Sequence, residues 1–205
     1  MKASSKIGII GGTFNPIHIA HLIIAESFTD QLKLDACFFV PANITPFKIN
    51  DMSTYFATSE HRIEMLKLAI NSNPKFQLDS YEIEQGGISY TYLTIEYFKN
   101  KYPEAELFFL IGTDQGIKFH EWKNWQEILK SVHICLADRT NDDKKKNQLN
   151  KQLTINKKAP LWLDASYMKI SSSQIRKNLF DGKSIKYLVL PDVEEYIYNN
   201  NLYLK

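Results

Sequence analysis

The 205-residue chain contains only two cysteines, Cys37 and Cys135. Both stand in apolar, strand-like runs, where a reduced cysteine behaves as a small buried hydrophobe, so a disulfide framework and thiol chemistry are set aside. No apolar stretch approaches the roughly 20 residues that span a bilayer. The opening Met1-Lys2-Ala3-Ser4-Ser5-Lys6 is too short and polar for a signal peptide, so a cytoplasmic protein with no membrane partner is expected. Charge of one sign is also lacking: 25 Lys and Arg against 23 Asp and Glu leave a formal +2. With no concentrated basic stripe carrying interleaved aromatics, nucleic acid is not an expected partner. Neither GxxxxGK(S/T) nor GxGxxG occurs, which disfavours a P-loop and the standard dinucleotide fingerprint. There is no internal repeat and no linker, and the length suits a single domain over residues 1–205.

What is present is an alternation of element types. Apolar runs at Lys6–Ile10, Ala36–Val40, Phe76–Ile83, Ala105–Ile111 and His133–Ala137 read as strands. Helical patterns occupy His18–Leu32, Ser59–Asn71, Thr91–Lys101 and Asn124–Ser131. This order predicts an α/β fold, a Rossmann-like open parallel sheet with helices on both faces. Ser171-Ser172-Ser173 before Gln174–Phe180, closed by Asp181-Gly182, reads as a short capped helix. A last helix from about Pro191 to Asn200 completes a small C-terminal helical part. The polar segment Asn141–Gln148 suits an exposed loop or a helix with one solvated face.

The most informative segment is Gly11-Gly12-Thr13-Phe14-Asn15-Pro16-Ile17-His18-Ile19-Ala20-His21, between the first strand and the first helix. Two glycines let backbone approach a ligand closely, and the first amides of a helix offer N–H groups and partial positive charge to a phosphate. A helix beginning near Pro16 places His18 and His21 on one face of its first turn. Zinc fits poorly, because no Cys or carboxylate nearer than Glu26 completes a ligand set. In a parallel sheet, residues after separate strands meet at the carboxyl ends. That rule adds Pro41 to Lys48 and the Ile111-Gly112-Thr113-Asp114 segment. Asp114 suits ribose binding or a helix N-cap equally. Ser89-Tyr90-Thr91 caps a helix or recognises a small polar group. In Trp122-Lys123-Asn124-Trp125, one indole can stack on a flat ring. Ile170-Ser171-Ser172-Ser173 with Arg176 puts hydroxyls and a guanidinium where an anion would be received.

Together these residues resemble the bacterial nicotinate-nucleotide adenylyltransferases, within the HxGH-type nucleotidyltransferases. The resemblance spans nearly the whole chain: the GGTFxPIHxxH start, Val40-Pro41-Ala42 with Pro46 and Lys48, Ser59-Glu60-His61-Arg62, Ser89-Tyr90-Thr91, Ile111-Gly112-Thr113-Asp114, Trp122 to Trp125, and the ISSSxIR ending. It implies transfer of AMP from ATP to nicotinate mononucleotide in NAD biosynthesis, by direct in-line attack of the acceptor phosphate. It implies His18, His21 and Arg176 as catalytic residues. It places ATP against Gly11, Gly12, Thr13, Phe14, His18, His21, Asp114, Ile170, Ser171, Ser172 and Arg176. The mononucleotide would lie against Thr91, Trp122, Asp114 and Lys48. Mg²⁺ would arrive with ATP, with no resident metal site in the protein.

Three positions depart from the family pattern. Asn15 replaces the common Asp, Ala20 the usual glycine between the histidines, and Phe47 a common histidine. Rival readings are an enzyme for nicotinamide mononucleotide, another phosphorylated acceptor such as phosphopantetheine, and a nucleotide-binding regulator without turnover. The residues leave a homo-oligomer open.

Overall fold

The strands' own alternation builds two cores. In the computed structural model, which describes residues 4–46, 56–137, 142–155, 158–164 and 168–205, six strands form one sheet: β1 (Lys6–Gly12), β2 (Ala36–Pro41), β3 (Phe76–Leu78), β4 (Glu106–Gly112), β5 (His133–Ala137) and β6 (Leu161–Leu163). Successive side chains point to opposite faces. Phe38, Val40, Leu107, Phe109 and Ile111 therefore face one core, while Cys37, Phe39, Phe108 and Leu110 face the other. Strands buried on both faces are what an all-parallel sheet requires, and all five pairings are parallel.

The strand order is β3-β2-β1-β4-β5-β6. The chain winds outward from β1 in one direction, then returns to β4 on β1's other side, so the strand order reverses between β1 and β4. Helices α1 (Ile19–Leu32) and α2 (Ser59–Ile70) cover one face. That face is shared by α8 (Ser172–Phe180) and α9 (Pro191–Asn199), through Ile175, Leu179, Val193 and Ile197. Helices α4 (Thr91–Lys101), α6 (Trp125–Ser131) and α7 (Asp143–Leu153) cover the other, through Ile95, Phe98, Ile128, Leu149 and Leu153. The expected Rossmann-like class with helices on both faces is the observed one.

Several expected boundaries are corrected. The third strand stops at Leu78 rather than Ile83, and Tyr81–Gln85 forms a short helix, α3. Asp79 causes the break. Its amide still bonds Phe39 O at 3.1 Å, but its Oδ1 accepts the Tyr81 N–H at 3.0 Å and its Oδ2 pairs with Lys101 at 2.8 Å. An Asp that captures the amide two residues on turns the chain out of a strand. A further short helix, α5 (Thr113–Ile117), follows β4, and Gly112 rather than Asp114 is its N-cap. The 143–153 segment is a helix with one solvated face, capped by Asp142, whose Oδ1 accepts the Lys144 amide at 3.0 Å. The edge strand β6 was not expected. Among the described residues no helix is long and apolar enough to cross a membrane.

Gly8 is fixed by packing. A Cβ there would lie 2.5 Å from Leu34 Cδ1 and 2.6 Å from Phe28 Cε1, both side chains fully buried. Gly8→Ala should destabilise the protein by about 1–3 kcal/mol through overpacking. Chemical denaturation checks this, and an unchanged midpoint would show that α1 can move off the sheet freely.

Candidate functional site

Beyond β1 the chain makes a tight turn, and side chains from distant elements hold its carbonyl groups. Phe14 adopts a left-handed conformation, with φ 49°. That folds its ring back over Gly12, where any Cβ would meet the ring at 3.0 Å. Arg62 of α2 lies beneath the turn, 1 % exposed. Its Nη1 donates to Thr13 O at 2.9 Å and to Ala42 O at 2.7 Å, and its Nη2 donates to Ser59 Oγ at 3.1 Å. One guanidinium thus joins the segments that follow β1 and β2. Burial lowers its pKa, yet a guanidinium starts so high that it keeps its charge. Among the described residues no carboxylate lies within ion-pair distance of it.

The next two residues are held from the C-terminal part. Arg176 Nη1 donates to Asn15 O at 2.7 Å, and Ser172 Oγ donates to Pro16 O at 2.8 Å. The Asn15 side chain is buried, and its Oδ1 accepts the Ala57 N–H at 3.1 Å and the Tyr203 hydroxyl at 2.7 Å. A backbone amide can only donate, which fixes the orientation of the Asn15 amide. Its Nδ2 is buried without a hydrogen-bond partner among the described residues. Burial pushes the Tyr203 phenol up, so it stays protonated and donates.

Helix α1 begins at Ile19, later than expected, because the Ile19 amide is taken by Leu188 O at 3.0 Å. His18 is consequently the N-cap. The two imidazoles still meet: their rings stack at 3.7 Å and 18°. His18 N donates to His21 Nδ1 at 3.3 Å. In a neutral ring, an accepting Nδ1 puts the proton on Nε2, making that nitrogen a donor. Phe14 packs edge-on against His21 at 5.2 Å.

In front of the turn lies a cavity of about 540 Å³, at the carboxyl ends of β1 and β4 where the strand order reverses. Of the expected site residues, Gly11, Gly12, Thr13, Phe14, His21, Thr91, Asp114 and Trp122 line it. His18, Ile170, Ser171, Ser172 and Arg176 do not. Ser172 and Arg176 grip the turn, and Ser171 Oγ caps α8 by accepting the Gln174 amide at 3.2 Å. Lys48 and Phe47 lie outside the described residues. Asp114 lines the cavity from the first turn of α5, so of its two readings the N-cap is excluded. Ser89 does not cap α4: Tyr90 is the N-cap, and Ser89 Oγ accepts the Asn43 amide at 2.9 Å. Trp122 packs against Phe119 at 4.9 Å, and its Nε1 is buried without a hydrogen-bond partner among the described residues.

Three features were missed in the sequence. Glu82 lines the cavity, accepts a hydrogen bond from Thr94 Oγ1 at 2.5 Å, and has its carboxyl pushed up by burial. Its helical turn had been read as strand. Lys123 also lines the cavity. Arg62 carried a legible signal, because Arg62, Met65, Leu66, Ala69 and Ile70 form the buried stripe of α2. A charged residue on an apolar stripe marks a buried polar contact.

Comparison with known proteins agrees with this geometry. Residues 9–178 match the family model described as cytidylyltransferase-like, which gives the class: nucleotidyltransferases on this sheet. A protein of Dictyoglomus thermophilum named probable nicotinate-nucleotide adenylyltransferase is 40 % identical, over 97 % of this chain and 100 % of its own. One of the same name from Lactiplantibacillus plantarum is 38 % identical, over 97 % of this chain and 88 % of its own. The solved nicotinic acid mononucleotide adenylyltransferase of Plasmodium falciparum in complex with NaAD shares the fold, with a TM-score of 0.76 at 22 % identity over 97 % of each chain. The chain belongs to the cytidylyltransferase-like family and, within it, to the nicotinate-nucleotide adenylyltransferases.

Arg62→Leu should cost about 3 kcal/mol, because it leaves the buried Ala42 carbonyl and the partly buried Thr13 carbonyl without a donor. Urea denaturation measures this, and a loss below about 1 kcal/mol would mean that water or a rearranged turn replaces the guanidinium.

Proposed function

We propose that this chain transfers AMP from ATP to nicotinate mononucleotide, releasing pyrophosphate and forming nicotinate adenine dinucleotide. The observation that carries the reading is that one cavity holds both kinds of group. It joins a glycine turn and an imidazole, suited to phosphates, to an indole and a helix start, suited to a flat ring bearing a small polar group.

An oxygen of the mononucleotide phosphate attacks the α-phosphorus in line. The bond from that phosphorus to the oxygen bridging to the β-phosphate breaks, and pyrophosphate leaves with the electron pair. The nucleophile is already anionic, so no base and no covalent enzyme intermediate are required. The protein aligns the two phosphates and offsets their charge. His21 Nε2–H and the backbone of Gly11 to Phe14 hold the triphosphate. His18, stacked on His21 from the buried side, fixes the plane of that ring. Arg176 and Ser172 act from outside the cavity, holding the Asn15 and Pro16 carbonyls away from the phosphates, and Ser171 caps the helix that carries both. Trp122 stacks on the pyridine ring, Thr91 at the start of α4 receives its carboxylate, and Asp114 lies between the substrates.

Among the described residues no group of three His, Cys, Asp or Glu side chains could hold a metal ion. Mg²⁺ would arrive with ATP and be held mainly by phosphate oxygens and water, and Asp114, which lines the cavity, would be a carboxylate able to accept from that water. When bound, the ion offsets charge on the phosphates.

Removing a preorganised donor to developing phosphate charge costs about 10²–10³-fold in kcat, and that loss is expected for His21→Ala with the fold intact. His18→Ala should lower turnover in the same direction. Near-normal turnover in both variants would contradict the assigned roles. Trp122→Ala should raise the KM for the mononucleotide far more than that for ATP. The function itself is tested by a steady-state assay with Mg²⁺ and ATP, supplying nicotinate or nicotinamide mononucleotide separately and following dinucleotide and pyrophosphate. Strong preference for the acid is expected. Preference for the amide would reassign the acceptor, and absence of product from both would exclude this reaction.

A further inference from the structure

Lys123 is the one lysine or arginine among the described residues that line the cavity, and it shares the wall with three carboxylic acids, Glu82, Asp114 and Glu121. An acceptor carrying both a phosphate and a ring carboxylate meets acidic groups there, so its entry needs a local cation. Two rings hold the flexible lysine stem: Lys123 Nζ lies 4.6 Å from the Tyr90 ring centroid and 5.8 Å from that of Tyr92. Both tyrosines flank Thr91, at the start of α4. Lys123 also directly follows Trp122. The ammonium therefore lies beside the start of α4 and next to the indole, in a cavity whose lining also includes the imidazole and the glycine turn.

We propose that Lys123 reads the carboxylate on the acceptor's pyridine ring and thereby sets the preference for acid over amide. This rests on the function proposed above. The ring carboxylate and the phosphate lie at opposite ends of a mononucleotide. With the phosphate drawn to the turn and the ring on Trp122, the carboxylate projects toward the helix start and Lys123. A lysine has three donors and no acceptor, so it contacts a carboxylate and an amide carbonyl alike, but only the carboxylate adds charge. Glu82 is the buried member of the acidic trio, and burial favours its neutral form. Asp114 and Glu121 are exposed, and theirs is the negative charge that Lys123 opposes. Lys123 is itself exposed, so solvent and salt screen its effect, and the preference should weaken as ionic strength rises.

The test compares wild type, Lys123→Met and Lys123→Arg in steady-state assays with Mg²⁺ and ATP and each mononucleotide, with circular dichroism confirming the fold. Loss of one charge-assisted contact should raise the KM of Lys123→Met for nicotinate mononucleotide by about tenfold. Its KM for ATP and its kcat/KM with the amide should stay within about twofold, so the acid-to-amide ratio falls about tenfold. Lys123→Arg should keep most of the wild-type ratio, and that ratio should fall with added salt. Equal losses with acid and amide would overturn the assignment, since Lys123 would then grip a group both share. An unchanged ratio in Lys123→Met, with wild type preferring the acid, would overturn it while leaving the function standing. A wild-type protein that makes no dinucleotide from either acceptor would overturn the function and this inference together.

Discussion

Everything at the site hangs on how the Thr13–Pro16 turn is held. Backbone carbonyls repel an anion, and a turn facing a triphosphate must dispose of them. Here the Thr13, Asn15 and Pro16 carbonyls are taken by Arg62, Arg176 and Ser172, which come from helices far apart in sequence. Two of those donors are cationic. The hydrogen bonds that remove the carbonyls' repulsion also bring positive charge beneath the place where a phosphate would sit. The Tyr203 hydroxyl and the Ala57 amide fix the Asn15 side chain in the same hub. The C-terminal helices are thus part of the turn's support as well as a cover for the sheet.

The rest of the site follows from where the turn lies. The strand order reverses between β1 and β4, the place where parallel sheets form a ligand crevice, and the cavity opens there. At the turn, a backbone amide donates to His21 Nδ1, which in a neutral ring leaves the proton on Nε2. Elsewhere in the same lining are an indole packed on Phe119 and a lysine whose ammonium lies over two tyrosines.

Much of this was legible in the sequence because the relevant signals are local. Continuous apolar runs gave five of six strands; β6, Leu161–Leu163, is a run of only three residues, and β3, equally short, was found because its apolar pattern continues toward Ile83. Asp79 was read as part of a strand because apolar residues resume at Tyr81 and Ile83, although its side chain takes the Tyr81 amide and ends the strand there. In the site, glycines, histidines and the serine-rich helix start could be found by spacing. Which of them face the cavity could not. The late start of α1 depends on Leu188, and the use of Ser172 and Arg176 as supports depends on how α8 docks. Asn15 is the instructive departure. Replacing the common Asp removes a negative charge from a hub where Arg62 has no carboxylate partner among the described residues, and it leaves Nδ2 without an acceptor. The hub is correspondingly more positive, which suits a site for anions.

The most direct test of this account is a crystal structure with a non-hydrolysable ATP analogue. The account predicts phosphate oxygens within hydrogen-bond distance, about 3 Å, of His21 Nε2 and of backbone amides between Gly11 and Phe14. It also predicts that Arg62, Arg176 and Ser172 remain on their carbonyls. A triphosphate bound away from the turn, or a turn whose carbonyls have let go of those side chains, would contradict it.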